Sequence, residues 1–132
     1  MGGVSGYYAT LIWGDFLFHS LPCRGSWNHL LKAAAYNKLG EPASEGCIRM
    51  AVCDAKWIYE NCVYGTAVLL FDSDELPVVK PVGIQIDPEG PNAGWDPTDP
   101  HPDNPTRARC IPQKSGMMAI TRWRRQNMVR VG

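Results

Sequence analysis

This chain has little of what would place it in several common classes. No acidic residue occurs after position 105, and no C-x-x-C pair occurs anywhere. No uninterrupted apolar run approaches the roughly 20 residues needed to cross a bilayer. Residues 1–14 are uncharged and glycine-rich, without the basic leader of a secretory signal, so a targeting segment is not read in this chain. Five cysteines at positions 23, 47, 53, 62 and 110 form an odd set. A disulfide framework favours an even number and a zinc site favours paired short spacings, so neither is expected, and no metal or cofactor is assigned. Internal repeats are absent.

What is present is enough for one modest core. The chain has 132 residues, 45% of them hydrophobic, with five tryptophans and five tyrosines, a composition that excludes disorder of the whole. Eleven prolines and thirteen glycines favour strands and loops over long helices. The formal net charge is zero but unevenly spread: residues 1–105 carry −7 and residues 106–132 carry +7. That tail is read as a solvated end with the cluster Arg122-Trp123-Arg124-Arg125, with contact to an anionic polymer or membrane surface as the alternative, and the acidic remainder argues against nucleic acid as a partner.

Tyr8–Trp13 and Phe16–His19 are two β-prone runs split by Gly14-Asp15, a hairpin signal that leaves His19 at a strand end. Residues 21–46 read as a long loop in which Leu30–Leu39 form one or two helical turns. Ala55, Ile58, Tyr59 and Cys62 follow helical spacing, with Asp54 suited to the helix start. Ala67–Phe71 reads as a buried strand. Residues 77–105 hold eight prolines and read as a loop or extended wrap outside the core. His29 and His101 are left facing solvent.

Chemistry concentrates at Ser44-Glu45-Gly46-Cys47-Ile48-Arg49. A small residue and a glycine before a cysteine make an open turn that presents a thiol, here just ahead of the expected helix, whose N-terminus would favour thiolate. His19 is the residue type that can deprotonate it near neutral pH, and Ser20 can orient the imidazole through its backbone or hydroxyl. Cys53 and Cys62 lack such a setting and read as apolar filler.

These residues resemble the catalytic domain of the L,D-transpeptidases (the YkuD family). The likeness is carried by Phe18-His19-Ser20, Leu39-Gly40-x-Pro42-Ala43, Ser44-x-Gly46-Cys47-Ile48-Arg49-Met50, Asp54-Ala55-x-Trp57-Ile58-Tyr59 and Gly65-Thr66-x-Val68. Gly94-Trp95-Asp96-Pro97-Thr98-Asp99-Pro100 more weakly resembles an extension on some members from anaerobic Gram-positive bacteria. The resemblance implies an α+β, mainly β, mixed sheet or sandwich with one short helix after the catalytic cysteine. It implies cysteine acyl transfer on peptidoglycan tetrapeptide stems, with release of D-alanine and linkage of third residue to third residue. It further implies an extracytoplasmic location at the cell wall and acylation of the thiol by carbapenem-type β-lactams. Matched by position, Cys47 is the nucleophile, His19 the base and Ser20 its orienting neighbour. The Gly46 and Cys47 amides form the oxyanion hole, while Ser44 and Arg49 support the substrate site.

Two departures accompany the likeness. Glu45 stands where the family has histidine, a like charge beside the thiolate that Arg49 offsets if residues 45–49 are extended. The strands that precede the family's histidine motif are not found, so the chain is read as the C-terminal part of such a domain. Residues 1–76 are then the catalytic core, 77–105 a proline-rich extension and 106–132 a basic tail. A thiol hydrolase on the same scaffold, or an inactive wall-binding fragment, are the alternatives.

Overall fold

The computed structural model describes residues 4–24, 31–41, 43–70 and 85–106. Expectations for His29, Phe71, Cys110 and the tail from residue 107 fall outside them. Strand β1 (Val4–Ser5) pairs antiparallel with β4 (Cys23–Arg24). Strands β2 (Thr10–Trp13) and β3 (Phe16–Ser20) form the expected hairpin, and Gly14 takes φ +55° in its turn, a conformation that costs glycine nothing. In β2 half-buried Thr10 and Ile12 alternate with exposed Leu11 and Trp13, the pattern of a strand with one wet face. In β3 Phe18, His19 and Ser20 are all buried: Phe18 packs with Ala55 and Ile58, Gly6 lies on the His19 ring and Ser20 is bonded to Tyr7.

The second partner is β5 (Ile48–Met50), which runs parallel to β3 and gives the order β2-β3-β5. Parallel neighbours need a long crossover. Residues 21–47 supply it and include helix α1 (Ala33–Asn37), within the segment expected to turn helically. Helix α2 (Val52–Asn61) follows β5. Ala55, Ile58 and Cys62 pack with Phe18, Met50 and Ile48, so α2 covers one face of the small sheet. Tyr59 departs from the expected stripe and is exposed, its ring meeting Tyr8 edge-on at 5.9 Å. With two helices and two small sheets among the described residues, the class is α+β.

Two expectations are corrected. Ala67–Leu70 form no strand among the described residues, and Leu69 is 77% exposed: an apolar run makes a buried strand only where a neighbouring strand accepts its backbone. The proline-rich segment, read as lying outside the core, enters it. Ile86 is buried with Leu21, Cys23, Leu31, Ala33 and Tyr36, and its backbone is held by Asn37 through bonds of 2.8 and 2.9 Å. Leu31 N–H also donates to Gly94 O at 2.9 Å. Prolines bar this stretch from a ladder, so it docks through side chains and turns.

Candidate active site

His19 is 6% exposed and sits in register with Arg49 across the β3–β5 pair. Residues paired this way project to the same face, and alternation along β5 carries the residue before it, Cys47, to that face as well. The opposite face, with Phe18, Ile48 and Met50, belongs to α2. Sheet geometry therefore gives the α2 packing one face and sets the imidazole and guanidinium on the other, with Cys47 one residue before β5.

The imidazole is fixed. Its Nδ1 stands 2.6 Å from the Ser20 carbonyl oxygen, which can only accept, so Nδ1 carries the proton and Nε2 the lone pair. Gly6 lies against the ring, where a Cβ would fall 2.9 Å from Nδ1. Burial lowers the His19 pKa from its ordinary value; the Ser20 carbonyl works against that shift and the Arg49 charge adds to it. The neutral, basic form therefore persists to lower pH than in a free histidine.

Ser20 orients the ring by backbone rather than hydroxyl. Its Oγ accepts the Tyr7 N–H at 2.8 Å and donates to Leu21 O at 3.3 Å, while Ser20 N–H donates to Tyr7 O at 3.0 Å. The fully buried serine thus pins the segment between β1 and β2 over the end of β3.

Cys47 is half-buried and its Sγ–H donates to Asp15 O in the hairpin turn at 3.7 Å. It does not adjoin the helix, as the sequence suggested. β5 and Ala51 stand between Cys47 and α2, because Ile48-Arg49-Met50 finds a ladder on β3. The loop before it is closed by Ser44, whose hydroxyl donates to Cys47 O and accepts Gly46 N–H at 3.4 Å. Gly46 is required by close approach: a Cβ there would lie 2.0 Å from the Phe16 ring. That ring stacks on Trp13 with centroids 6.4 Å apart, so an aromatic pair borders the thiol loop. Residues 44–46 bend, and the alternation that would align Glu45 with Arg49 stops at Cys47. Arg49 Nε is buried with no hydrogen-bond partner among the described residues, and its charge is felt by the imidazole.

Two other thiols, Cys23 and Cys53, are buried. Burial, with Asp96 and Asp99 nearby, pushes Cys23 up to about 11, and buried Cys53 donates to Asp54 Oδ1 at 3.7 Å. Sequence reasoning missed the residues that hold α2. N-cap Ala51 has no capping side chain. Asp96 Oδ2 instead accepts Val52 N–H at 2.9 Å, and Thr98 Oγ1 accepts Cys53 N–H at 3.2 Å. The Asp-x-Thr pattern was visible, but nothing local indicated its target 44 residues away. His101, left facing solvent, is half-buried against the Trp95 ring. Among the described residues no three His, Cys, Asp or Glu side chains gather as metal ligands, and no helix is long and apolar enough to cross a membrane.

Comparison with known proteins bears on this geometry. The family model described as the L,D-transpeptidase catalytic domain, YkuD, matches residues 2–79, more than half of the chain. The Bacillus subtilis (strain 168) protein YciB, whose name assigns it to the L,D-transpeptidases, is 47% identical over 57 residues, covering 43% of this chain and 28% of that protein. The chain therefore spans under a third of the length of this curated relative. No solved structure matches it.

Proposed function

The chain belongs to the family of L,D-transpeptidase catalytic domains, and from that premise we propose that it catalyses cysteine-dependent acyl transfer on peptidoglycan stem peptides. The observation that carries the reading is the Nδ1 contact of His19 with Ser20 O at 2.6 Å. It leaves the lone pair on Nε2, which supports the reading of His19 as the base for Cys47.

In this reading His19 Nε2 takes the Cys47 proton, and the thiolate attacks the carbonyl carbon of the third stem residue. The C–S bond forms as the carbonyl π electrons move to oxygen. The oxyanion is met by the Cys47 N–H and by the Gly46 N–H, which turns from Ser44 Oγ. Collapse breaks the amide bond, and the imidazolium returns its proton to departing D-alanine. The amine of a neighbouring stem then attacks the thioester, His19 accepts its proton, and the thiol is regenerated with a third-to-third cross-link. Arg49 holds positive charge beside the imidazole, which keeps His19 neutral before the reaction and supports substrate carboxylate. Ser44 keeps the turn closed. The reaction belongs at the cell wall, outside the membrane.

The test is the mass of the intact protein after exposure to a carbapenem, together with product analysis on tetrapeptide stems. One adduct per chain that disappears in Cys47→Ala supports the nucleophile. Cross-linked dimers mean transfer, and free tripeptide stems mean that water replaces the amine. Absence of both adduct and product overturns the reading in favour of an inactive wall-binding fragment.

A further inference from the structure

The family match ends at residue 79, yet the first turn of α2 is closed from beyond that limit. Ala51 offers a methyl group where a helix start needs an acceptor. Asp96 supplies it, only 2% exposed, with Oδ1 accepting from Thr98 N–H and hydroxyl at 2.8 and 2.7 Å. Asn104 Nδ2 braces the turn from behind by donating to Asp96 O at 2.9 Å and Asp99 O at 2.8 Å. Among the described residues, Cys23, Tyr36 and Asp99 are titratable groups that feel this carboxylate or act on it. One residue, Ala51, separates Met50 at the end of β5 from the start of α2. A rotation of that first turn therefore reaches β5 with little slack, and β5 bears Arg49 opposite His19 with Cys47 directly before it.

We propose that Asp96, seconded by Thr98, is a positioning residue for the thiol–imidazole pair, setting the height of β5 against β3 through the cap on α2. The inference rests on reading Cys47 and His19 as nucleophile and base. It makes residues 94–106 a working part of the catalytic unit. Asp96 touches no reacting atom and acts through Val52, Ala51 and β5.

Alkylation of the full chain by iodoacetamide tests it. Lys38 and Arg49 bracket a tryptic peptide in which Cys47 is the sole cysteine, so its rate can be followed alone by mass spectrometry. Rates are taken across pH, at a temperature where circular dichroism shows each variant folded. His19→Ala should abolish the limb of the profile governed by the imidazole. Asp96→Ala should flatten the same limb and slow the neutral-pH rate about tenfold, since a misplacement of roughly 1 Å can cost up to about 100-fold. Asp96→Asn, whose single oxygen can still accept from Val52 N–H but not from Thr98 as well, should restore the limb in part, and Thr98→Val should weaken it. A limb lost in His19→Ala but unchanged in Asp96→Ala and Thr98→Val overturns the positioning role alone. A limb unchanged in His19→Ala overturns the pair and the positioning role together. If Asp96→Ala fails to fold, Thr98→Val decides, and an unchanged profile there refutes the proposal.

Discussion

The β2-β3-β5 sheet and the segment 85–106 solve the same problem by different chemistry. In the sheet, backbone groups satisfy one another across strands, and side chains are released to pack or react. In the segment, Asp87, Asp96, Asp99 and Asn104 each turn a side-chain oxygen onto the backbone N–H two residues on, at 2.8–3.1 Å. Prolines remove N–H donors there, and Asx turns substitute for the missing ladder. The contrast teaches that regular structure is not the measure of structural importance. The segment without a strand or helix of its own holds the helix that backs the sheet.

The sharpest way to separate the two regions is Cys47→Ala. It should remove transfer activity by at least about 10³-fold, by analogy with the loss of other catalytic nucleophiles. The melting temperature should barely move, because the side chain is half-buried and its thiol bond is weak. Asp96→Ala should do the reverse to stability: losing a cap and stranding buried N–H groups should cost about 2–4 kcal/mol in urea unfolding. If it costs less than Asn37→Ala, the segment is held by Ile86 and not by the cap. Gly46→Ala drives a methyl into the Phe16 ring and should cost about 1–3 kcal/mol, with the Trp13 fluorescence shifting as the aromatic pair moves. Asn37→Ala, which releases both bonds to Ile86, should cost about 1–2 kcal/mol.

The smallest effect is the pH dependence. The folded pKa of His19 lies below its unfolded value of 6.5, so the unfolded chain binds the proton first. Stability is full above 6.5 and falls as pH drops from there toward the folded pKa. Asp54 and Asp96 run the other way: burial raises both above 3.8, so the stability they withhold at neutral pH returns as pH falls through their folded values. Urea midpoints between about pH 7 and pH 5 should show the His19 decline, and His19→Gln should flatten it.

The hairpin, the helix after Cys47 and the turn at Ser44–Cys47 were legible because each is written in neighbouring residues. Gly14-Asp15 splits two β-prone runs, and Ala55, Ile58 and Cys62 keep a helical period. The position of Cys47 was misread because three residues, Ile48–Met50, are too few to declare a strand without sight of β3. Ala67–Leu70 failed in the opposite sense: apolar content suggested a strand, but burial depends on a neighbour the local sequence does not specify. The Asp96 cap was hidden for the same reason, since a side chain that serves a helix 44 residues earlier leaves no periodic trace near that helix.

The parallel pairing of β3 with β5 has a consequence for how the molecule is made. The 27 residues between His19 and Cys47 must emerge and cross over before β5 can reach its partner, and Asp96 follows much later. A ribosome-bound chain therefore carries the sulfur long before anything can hold it beside a base. On the proposed reading the thiol–imidazole pair is therefore completed only when this non-local pairing closes, a late step in folding.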